Sequence, residues 1–193
     1  MPTFLGLLIQ GNFYGISLIW PATAVGLTLM ILTIQNKNLL LDPMTGLYNR
    51  KYLDTFKTGE RKYSIMMLDL NGFKSINDSY GHSEGDIALN STAELLLASV
   101  GAKGTAVRYA GDEFIILLNT DDEDEAKKCI DRLEKNFENY NSTSNKPYQL
   151  RYSLGWGIFG FSDDLKDEAL KVIDARMYEN KKEYYSVNDR RRH

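Results

Sequence analysis

The chain of 193 residues has one cysteine, Cys129, which rules out an internal disulfide and a cysteine-based zinc cluster and fits a reducing compartment. It has two histidines, and His82, alone in a turn-rich stretch, reads as structural rather than as a catalytic base. An excess of positive charge is also missing. The net charge of −3 argues against a general polyanion binder, which needs clustered Lys and Arg, and the Arg190, Arg191, Arg192 run reads as a solvated tail. There is no internal repeat and no low-complexity segment. Residues 1–36 hold no Asp, Glu, Lys, Arg or His at all.

That uncharged stretch divides the chain. The run over 13–34 is long enough for a bilayer core, which takes about 20 residues, so a transmembrane helix is expected there, kinked or ended by Pro21 and with Tyr14 and Trp20 as interfacial aromatics. A signal peptide is the competing reading, but it calls for basic residues ahead of a shorter apolar stretch, and both are absent. Positive charge begins only afterwards, at Lys37, Arg50, Lys51, Lys57, Arg61 and Lys62, which puts everything after Gln35 on the cytoplasmic side of an inner membrane. The expected organisation is a membrane segment over 1–35, a helical stalk over 36–41 that Asp42-Pro43 stops, and a domain over 42–193. A body of roughly 150 residues buries about two-thirds of its unfolded surface, enough for one real core.

Within the domain the pattern alternates. A helix is expected over 51–57, and a strand over 63–70, where SIMMLDL is a continuous apolar run ending in a carboxylate. A polar loop with Gly72, Asn77, Gly81 and Gly85 leads to a helix over 86–99, followed by a hairpin of strands 106–109 and 114–118. Ala126, Cys129, Ile130, Leu133 and Phe137 share one helical face, and the acidic residues 121–125 before them suit the positive end of a helix dipole. A strand over 149–159 and a last helix from Leu165, with Ala169, Ile173 and Met177 as its stripe, complete the domain. This order yields an α+β fold of mainly antiparallel sheet with helices packed on it, ferredoxin-like in plan.

Two acidic elements carry candidate chemistry: Asp69 ending its strand, and Asp112-Glu113 in the hairpin turn. If those strands are neighbours, their carboxylates converge on a site suited to magnesium, a small hard ion that keeps water and takes phosphate oxygens readily. Two such ions activate an attacking hydroxyl and steady the leaving oxygen in an in-line displacement at phosphorus. Spacing alone equally allows a plain turn and a plain strand end. The intervening loop, NGFKSINDSYGHSEGD, adds Lys74 as a point charge for a triphosphate, and Asn77 and Asp86 as partners for the Watson–Crick edge of guanine. Capping the next helix is the simpler reading of Asp86.

DPMTGLYNR at 42–50, DLNGFKSINDSYGHSEGD at 69–86, RYAGDEF at 108–114 and YENK at 178–181 resemble, in order and separation, the signature set of GGDEF domains, the diguanylate cyclases. The resemblance covers residues 40–185. It implies a palm-type domain acting as a homodimer, with each subunit supplying half of the site that turns two GTP into cyclic di-GMP and two pyrophosphates. It implies Asp69, Asp112 and the Leu70 carbonyl as ligands of two Mg2+ ions, with Mn2+ as a substitute, and Glu113 near the attacking 3′-hydroxyl. Asn77 and Asp86 match the guanine readers. Lys74, Arg108 and Lys181 match groups on the phosphates or the transition state.

The chain departs from that pattern in several places. Ala110 replaces the first signature glycine, Asn71 the usual second Asp of the DLN element, and Tyr184-Tyr185 a Gly-Arg pair whose arginine contacts the terminal phosphate. An inhibitory RxxD is absent, since Gly101 and Gly104 occupy its positions, so product inhibition through it is not expected. The alternative function is a GTP-binding regulatory module without turnover. An RNA-binding sheet, the third candidate, lacks the basic face it needs, so no nucleic-acid partner is expected.

Overall fold

The computed structural model describes residues 19–55, 61–160 and 166–189. The chain divides into two units, 1–41 and 42–193. In the first, helix α1 (Ile19–Asn38) forms from a run with one internal proline near its start, and the hydroxyls of Thr23, Thr28 and Thr33 donate back to carbonyls three or four residues earlier. These threonines and the polar last turn at Gln35, Asn36, Lys37 and Asn38 dilute its apolar character. Among the described residues no helix is long and apolar enough to cross a membrane. The expected transmembrane helix over 13–34, the membrane as a partner and the inner-membrane location built on them are therefore corrected; residues 13–18 of that span lie outside the described ones.

The second unit contains β1 (Tyr48–Asn49), α2 (Arg50–Thr55), β2 (Lys62–Leu70), α3 (Phe73–Tyr80), α4 (His82–Val100), β3 (Gly104–Ala110), β4 (Glu113–Leu118), α5 (Glu123–Thr143), β5 (Tyr152–Gly160) and α6 (Lys166–Asp189). Five strands form one mixed sheet in the order β1-β3-β4-β2-β5. The four long strands pair antiparallel, and only β1 joins parallel to β3. With α4 between β2 and β3, and α5 between β4 and β5, this is the βαββαβ arrangement of a split βαβ fold.

β2 sits between β4 and β5, and every residue of it after Lys62 is buried. That explains its unbroken apolar sequence, because a strand covered on both faces has no solvent side to alternate with. Met66, Leu68 and Leu70 face a core completed by Ala88, Leu96, Phe114, Ile116, Leu133 and Phe137 from α4, β4 and α5. Ile65 and Met67 face the other core, with Val107, Ile115, Leu117, Ala169, Ile173 and Met177. Each such side chain contributes about 1.5–3 kcal/mol when withdrawn from water. The expected faces of α5 and α6 are these buried stripes, with Ile130 only partly buried and Leu165 outside the described residues. Asp122 caps α5, its carboxylate accepting from Asp124 N at 2.8 Å.

Three local expectations change. The polar loop after β2 is largely helical: α3 fills it and α4 begins at His82, four residues before Asp86. Glycines at 72 and 81, with φ of 74° and 85°, make the turns that bracket α3, so they punctuate two helices rather than mark one long loop. Residues 149–151 precede β5 instead of starting it, because Asn141 captures both backbone groups of Leu150 at 2.8 Å. β1, two residues long, carries too short a pattern to be foreseen.

Gly155 on β5 marks a close approach of sheet and helix, since a methyl there would strike the Ile173 carbonyl and the Met177 amide of α6. Backbone cannot rotate aside. Gly155→Ala is expected to cost about 1–3 kcal/mol, measured by urea unfolding; an unchanged midpoint would show that α6 does not pack this tightly.

Candidate active site

The site begins where β2 ends. The register pairs Asp69 with Glu113 of β4 and with Ser153 of β5, and Leu70 N donates to Asp112 O at 3.2 Å, which ties the hairpin turn to the strand end. The two acidic elements of the sequence therefore meet. Asp69 is buried, its side chain 8% exposed, and its Oδ1 accepts from Lys181 Nζ of α6 at 2.6 Å. Burial raises the Asp112 carboxyl above its ordinary value, and the neighbouring Asp69 charge adds to the rise. Glu113 is raised likewise, first by burial and then by Asp69, Asp112 and Asp174. For Lys181, burial works against the charge, but the hydrogen bond and attraction to Asp69 outweigh it and hold the ammonium above its usual value.

Three carboxylates thus share one lysine, and the surplus negative charge favours a bound cation. Among the described residues no group of three His, Cys, Asp or Glu side chains is assembled as a metal cage. The expected set of Asp69, Asp112 and the Leu70 carbonyl is smaller than a cage. All its donors are oxygen, and they leave positions for water and phosphate, which fits Mg2+ better than a soft or fully encaged metal.

The signature arginine lies beside this cluster. Arg108 donates from Nε and Nη2 to Gly111 O at 3.0 and 2.9 Å, and from Nη1 to Asp42 Oδ1 at 3.0 Å. Asp42 also accepts from Thr45 N and Oγ1 at 2.8 and 2.7 Å, and its backbone O from Gly46 N. The DPMTG segment is therefore a side-chain-closed turn that the arginine clamps onto the hairpin. Burial pushes the Asp42 carboxyl up, but the Thr45 and Arg108 hydrogen bonds prevail and hold it below its ordinary value. Asp42 was missed at the sequence level; its distance of 66 residues from Arg108 gave no local signal.

Ala110 ends β3 at an irregularity in the β3–β4 register. The only positive φ in the turn belongs to Gly111, at 37°, and among the described residues none but glycine adopts one, so the added methyl meets no conformational strain. Asn71 is buried; Ser153 Oγ donates to its Oδ1 at 2.9 Å, while its Nδ2 has no partner among the described residues.

The nucleobase candidates lie on the two helices after β2. Asn77 belongs to α3 and its side chain lies against Gly85 of α4, where even a Cβ would collide with its amide oxygen. Gly85 thereby holds Asn77 one residue from exposed Asp86. Asp86 is in the second turn of α4, whose cap position is Gly81, so capping does not account for it. The start of α4 is fastened by Glu84, which accepts from Lys146 Nζ at 2.9 Å and from Tyr148 Oη at 2.9 Å. Lys74 is exposed on the first turn of α3, and His82 is exposed at the start of α4. Tyr185 was noted only as a missing arginine, yet its hydroxyl accepts from Gly72 N at 3.1 Å. Its spacing of four from Lys181, one helical turn, is the signal that placed it here.

The family described as "Diguanylate cyclase, GGDEF domain" matches residues 39–186. Diguanylate cyclase A of Treponema denticola is 31% identical over 170 residues, covering 80% of this chain and 46% of that protein. Probable diguanylate cyclase DgcJ of Escherichia coli is 33% identical over 149 residues, 72% of this chain and 29% of that protein. This chain thus spans less than half the length of these relatives. Among solved structures, the coiled coil and GGDEF domain of DgcB from Caulobacter crescentus in complex with c-di-GMP superposes with a TM-score of 0.71, at 20% identity over 86% of this chain and 92% of that one. That likeness is one of fold.

Removing Asp42 strands a mostly buried guanidinium, side chains of the pair being 18% and 14% exposed. Asp42→Ala is expected to lose about 2–3 kcal/mol near neutral pH. Since the folded carboxyl titrates below its ordinary value, the wild-type advantage is full above that ordinary value and shrinks as pH falls through the folded one. Denaturation at two pH values checks both; an equal gap in acid would contradict it.

Proposed function

The chain belongs to the GGDEF diguanylate cyclase family, and from that membership and its site we propose that it condenses two GTP into cyclic di-GMP and two pyrophosphates across a homodimer. The observation that carries this reading is the meeting of Asp69, Asp112, Glu113 and Lys181 at the end of β2, beside the α3–α4 pair that bears Asn77 and Asp86.

In this reading each step has a residue of the chain behind it. Asp69, Asp112 and the Leu70 carbonyl would hold the Mg2+ ions, two per site in this reading, for which Mn2+ would substitute. When bound, these ions supply charge stabilisation and acidify the attacking hydroxyl. Asp86 accepts from the guanine Watson–Crick edge while Asn77, fixed by Gly85, offers a donor and an acceptor beside it. Glu113, raised by burial and by its acidic neighbours, is suited to accept the 3′-hydroxyl proton. The freed 3′-oxygen bonds to the α-phosphorus of the partner subunit's GTP, and the bond from that phosphorus to the β-phosphate bridge breaks to release pyrophosphate. Two such displacements, one from each subunit, close the ring. Lys181 balances the charge that builds on the phosphates, and Lys74 meets the triphosphate from the exposed start of α3. Arg108, its fork engaged with Gly111 and Asp42, acts by holding Asp112 and Glu113 in register.

One observation favours a second reading, GTP binding without turnover: Asp69 is already ion-paired with Lys181, so a metal has to share it. Incubating the full chain with GTP and Mg2+ and identifying the products separates the two. Cyclic di-GMP is expected, with Asp112→Ala lowering its formation by more than about 100-fold, beyond the loss usual for a supporting partner. Bound GTP without product selects the second reading, and neither binding nor product ends both.

A further inference from the structure

A cavity of about 720 Å3 opens beside β5, the edge strand of the sheet, and is lined by that strand together with α5 and α6. Ligand sites fall in the range of roughly 300–1,000 Å3. None of its lining residues belongs to the carboxylate site or to the nucleobase candidates. Its walls are aromatic: Tyr152 and Trp156, which share one face of β5, with Phe137 of α5 and Tyr184 of α6. Phe137 meets the Tyr152 ring edge-on at 4.6 Å and 62°, and Asn180 Oδ1 accepts from Leu154 N at 3.0 Å, so α5 and α6 are both fastened to the strand.

Two features of this lining are unsatisfied. Glu134 and Glu138 stand one turn apart on α5, where like charges repel, and among the described residues neither forms an ion pair, whereas Glu123 and Glu125 of the same helix each hold a lysine. The Tyr152 hydroxyl is buried and has no partner among the described residues. Burial raises this phenol first, and the Glu134 and Glu138 charges add to the rise, so it stays a protonated donor near two carboxylates with which it makes no hydrogen bond. Arg151 also lines the cavity, and it donates to Gln149 Oε1 at 2.5 Å.

We propose that this cavity binds a small organic cation, a guanidinium or ammonium group on an apolar stem, with the stem against Trp156, Tyr152 and Phe137 and the charge at Glu134 and Glu138. Aromatic faces attract a cation through their quadrupoles and cover its stem at the same time. A glutamate turned inward would accept from the Tyr152 hydroxyl, but alone it would set a bare carboxylate against the rings. A cation in the cavity balances that charge, so one carboxylate bridges phenol and ligand. An anion would meet two carboxylates at the mouth, and a neutral molecule would leave both their repulsion and the orphaned hydroxyl in place. A hard metal ion fits poorly, because it calls for a shell of oxygens and these walls are mostly carbon. The site is independent of the nucleotide reading above, since it shares no residue with it and stands whether or not the chain forms cyclic di-GMP.

Trp156 reports on its own cavity. In the full chain carrying Trp20→Phe, which leaves Trp156 as the only tryptophan, N-butylguanidinium titrated at constant ionic strength is expected to change the indole emission saturably. A Kd on the order of 1 mM is expected for so small a probe. N-Butylurea, of the same shape but uncharged, is expected to leave the emission unchanged. Glu134→Gln combined with Glu138→Gln is expected to weaken the guanidinium about tenfold or more. Tyr152→Phe is expected to weaken it about threefold or more, while the urea midpoint of the unliganded variant does not fall, because the hydroxyl removed had no partner. A purely structural Tyr152 would give the reverse, a lower midpoint with unchanged affinity, and that result overturns the bridging role. The proposed site itself is overturned by the absence of saturation both in the emission and in the guanidinium's own NMR line width. Equal binding of N-butylurea overturns it too, making the cavity a plain apolar groove, as does an affinity that survives the paired glutamine substitutions.

Discussion

The structure turns on one electrostatic constraint, three carboxylates brought to the end of a strand buried on both faces. Asp69 cannot move, because β2 lies between β4 and β5 and its neighbours Met67, Leu68 and Leu70 are each locked into one of the two cores. A lone buried carboxylate is costly, and Lys181 offsets that cost. Burial raises Asp112 and Glu113, and repulsion from Asp69 adds to the rise of both. Such a site is unrelaxed until something positive enters, and that need links the fold to its chemistry.

Much of the remaining architecture keeps this arrangement from relaxing. The hairpin that carries Asp112 and Glu113 is tied to β2 by Leu70 N, and to the turn at Asp42 through Arg108. The helices that carry the nucleobase candidates are held by a glycine contact, Asn77 on Gly85, and by the Glu84 clasp to Lys146 and Tyr148. These fastenings join segments far apart in sequence, so each one trades chain entropy for a fixed position near the cluster. Preorganisation of this kind is what a site acting through charge and placement requires.

The same distinction separates what the sequence displayed from what it hid. The strands β2 to β4, the buried stripe of α5 and the meeting of Asp69 with Asp112 and Glu113 were legible, because periodicity and an apolar run bounded by carboxylates report burial directly. The loop after β2 was misjudged because Gly72 and Gly81 suggest a break while saying nothing of the helix between them. The 13–34 span read as membrane-crossing because absence of charge was counted and the threonines were not; among the described residues no helix meets that requirement. Asp42, Gly85 and Tyr185 act through contacts across 66, 8 and 113 residues, and no local pattern encodes such distances.

Of the departures from the family pattern, the structure treats Ala110 and Asn71 differently. Ala110 is exposed and its backbone conformation suits any residue, so it leaves the turn unstrained, with Gly111 supplying the one left-handed position. Asn71 changes the electrostatics of the site. A carboxylate in its place would stand two residues from Asp69, in a cluster where burial and then neighbouring charge already raise the carboxyls. The amide removes that charge while its oxygen still accepts from Ser153. The cost is an Nδ2 without a partner among the described residues, worth about 1–3 kcal/mol for a buried polar group. Asn71 therefore removes a repulsion that a bound cation would otherwise relieve, and keeps the hydrogen bond that ties the end of β2 to β5.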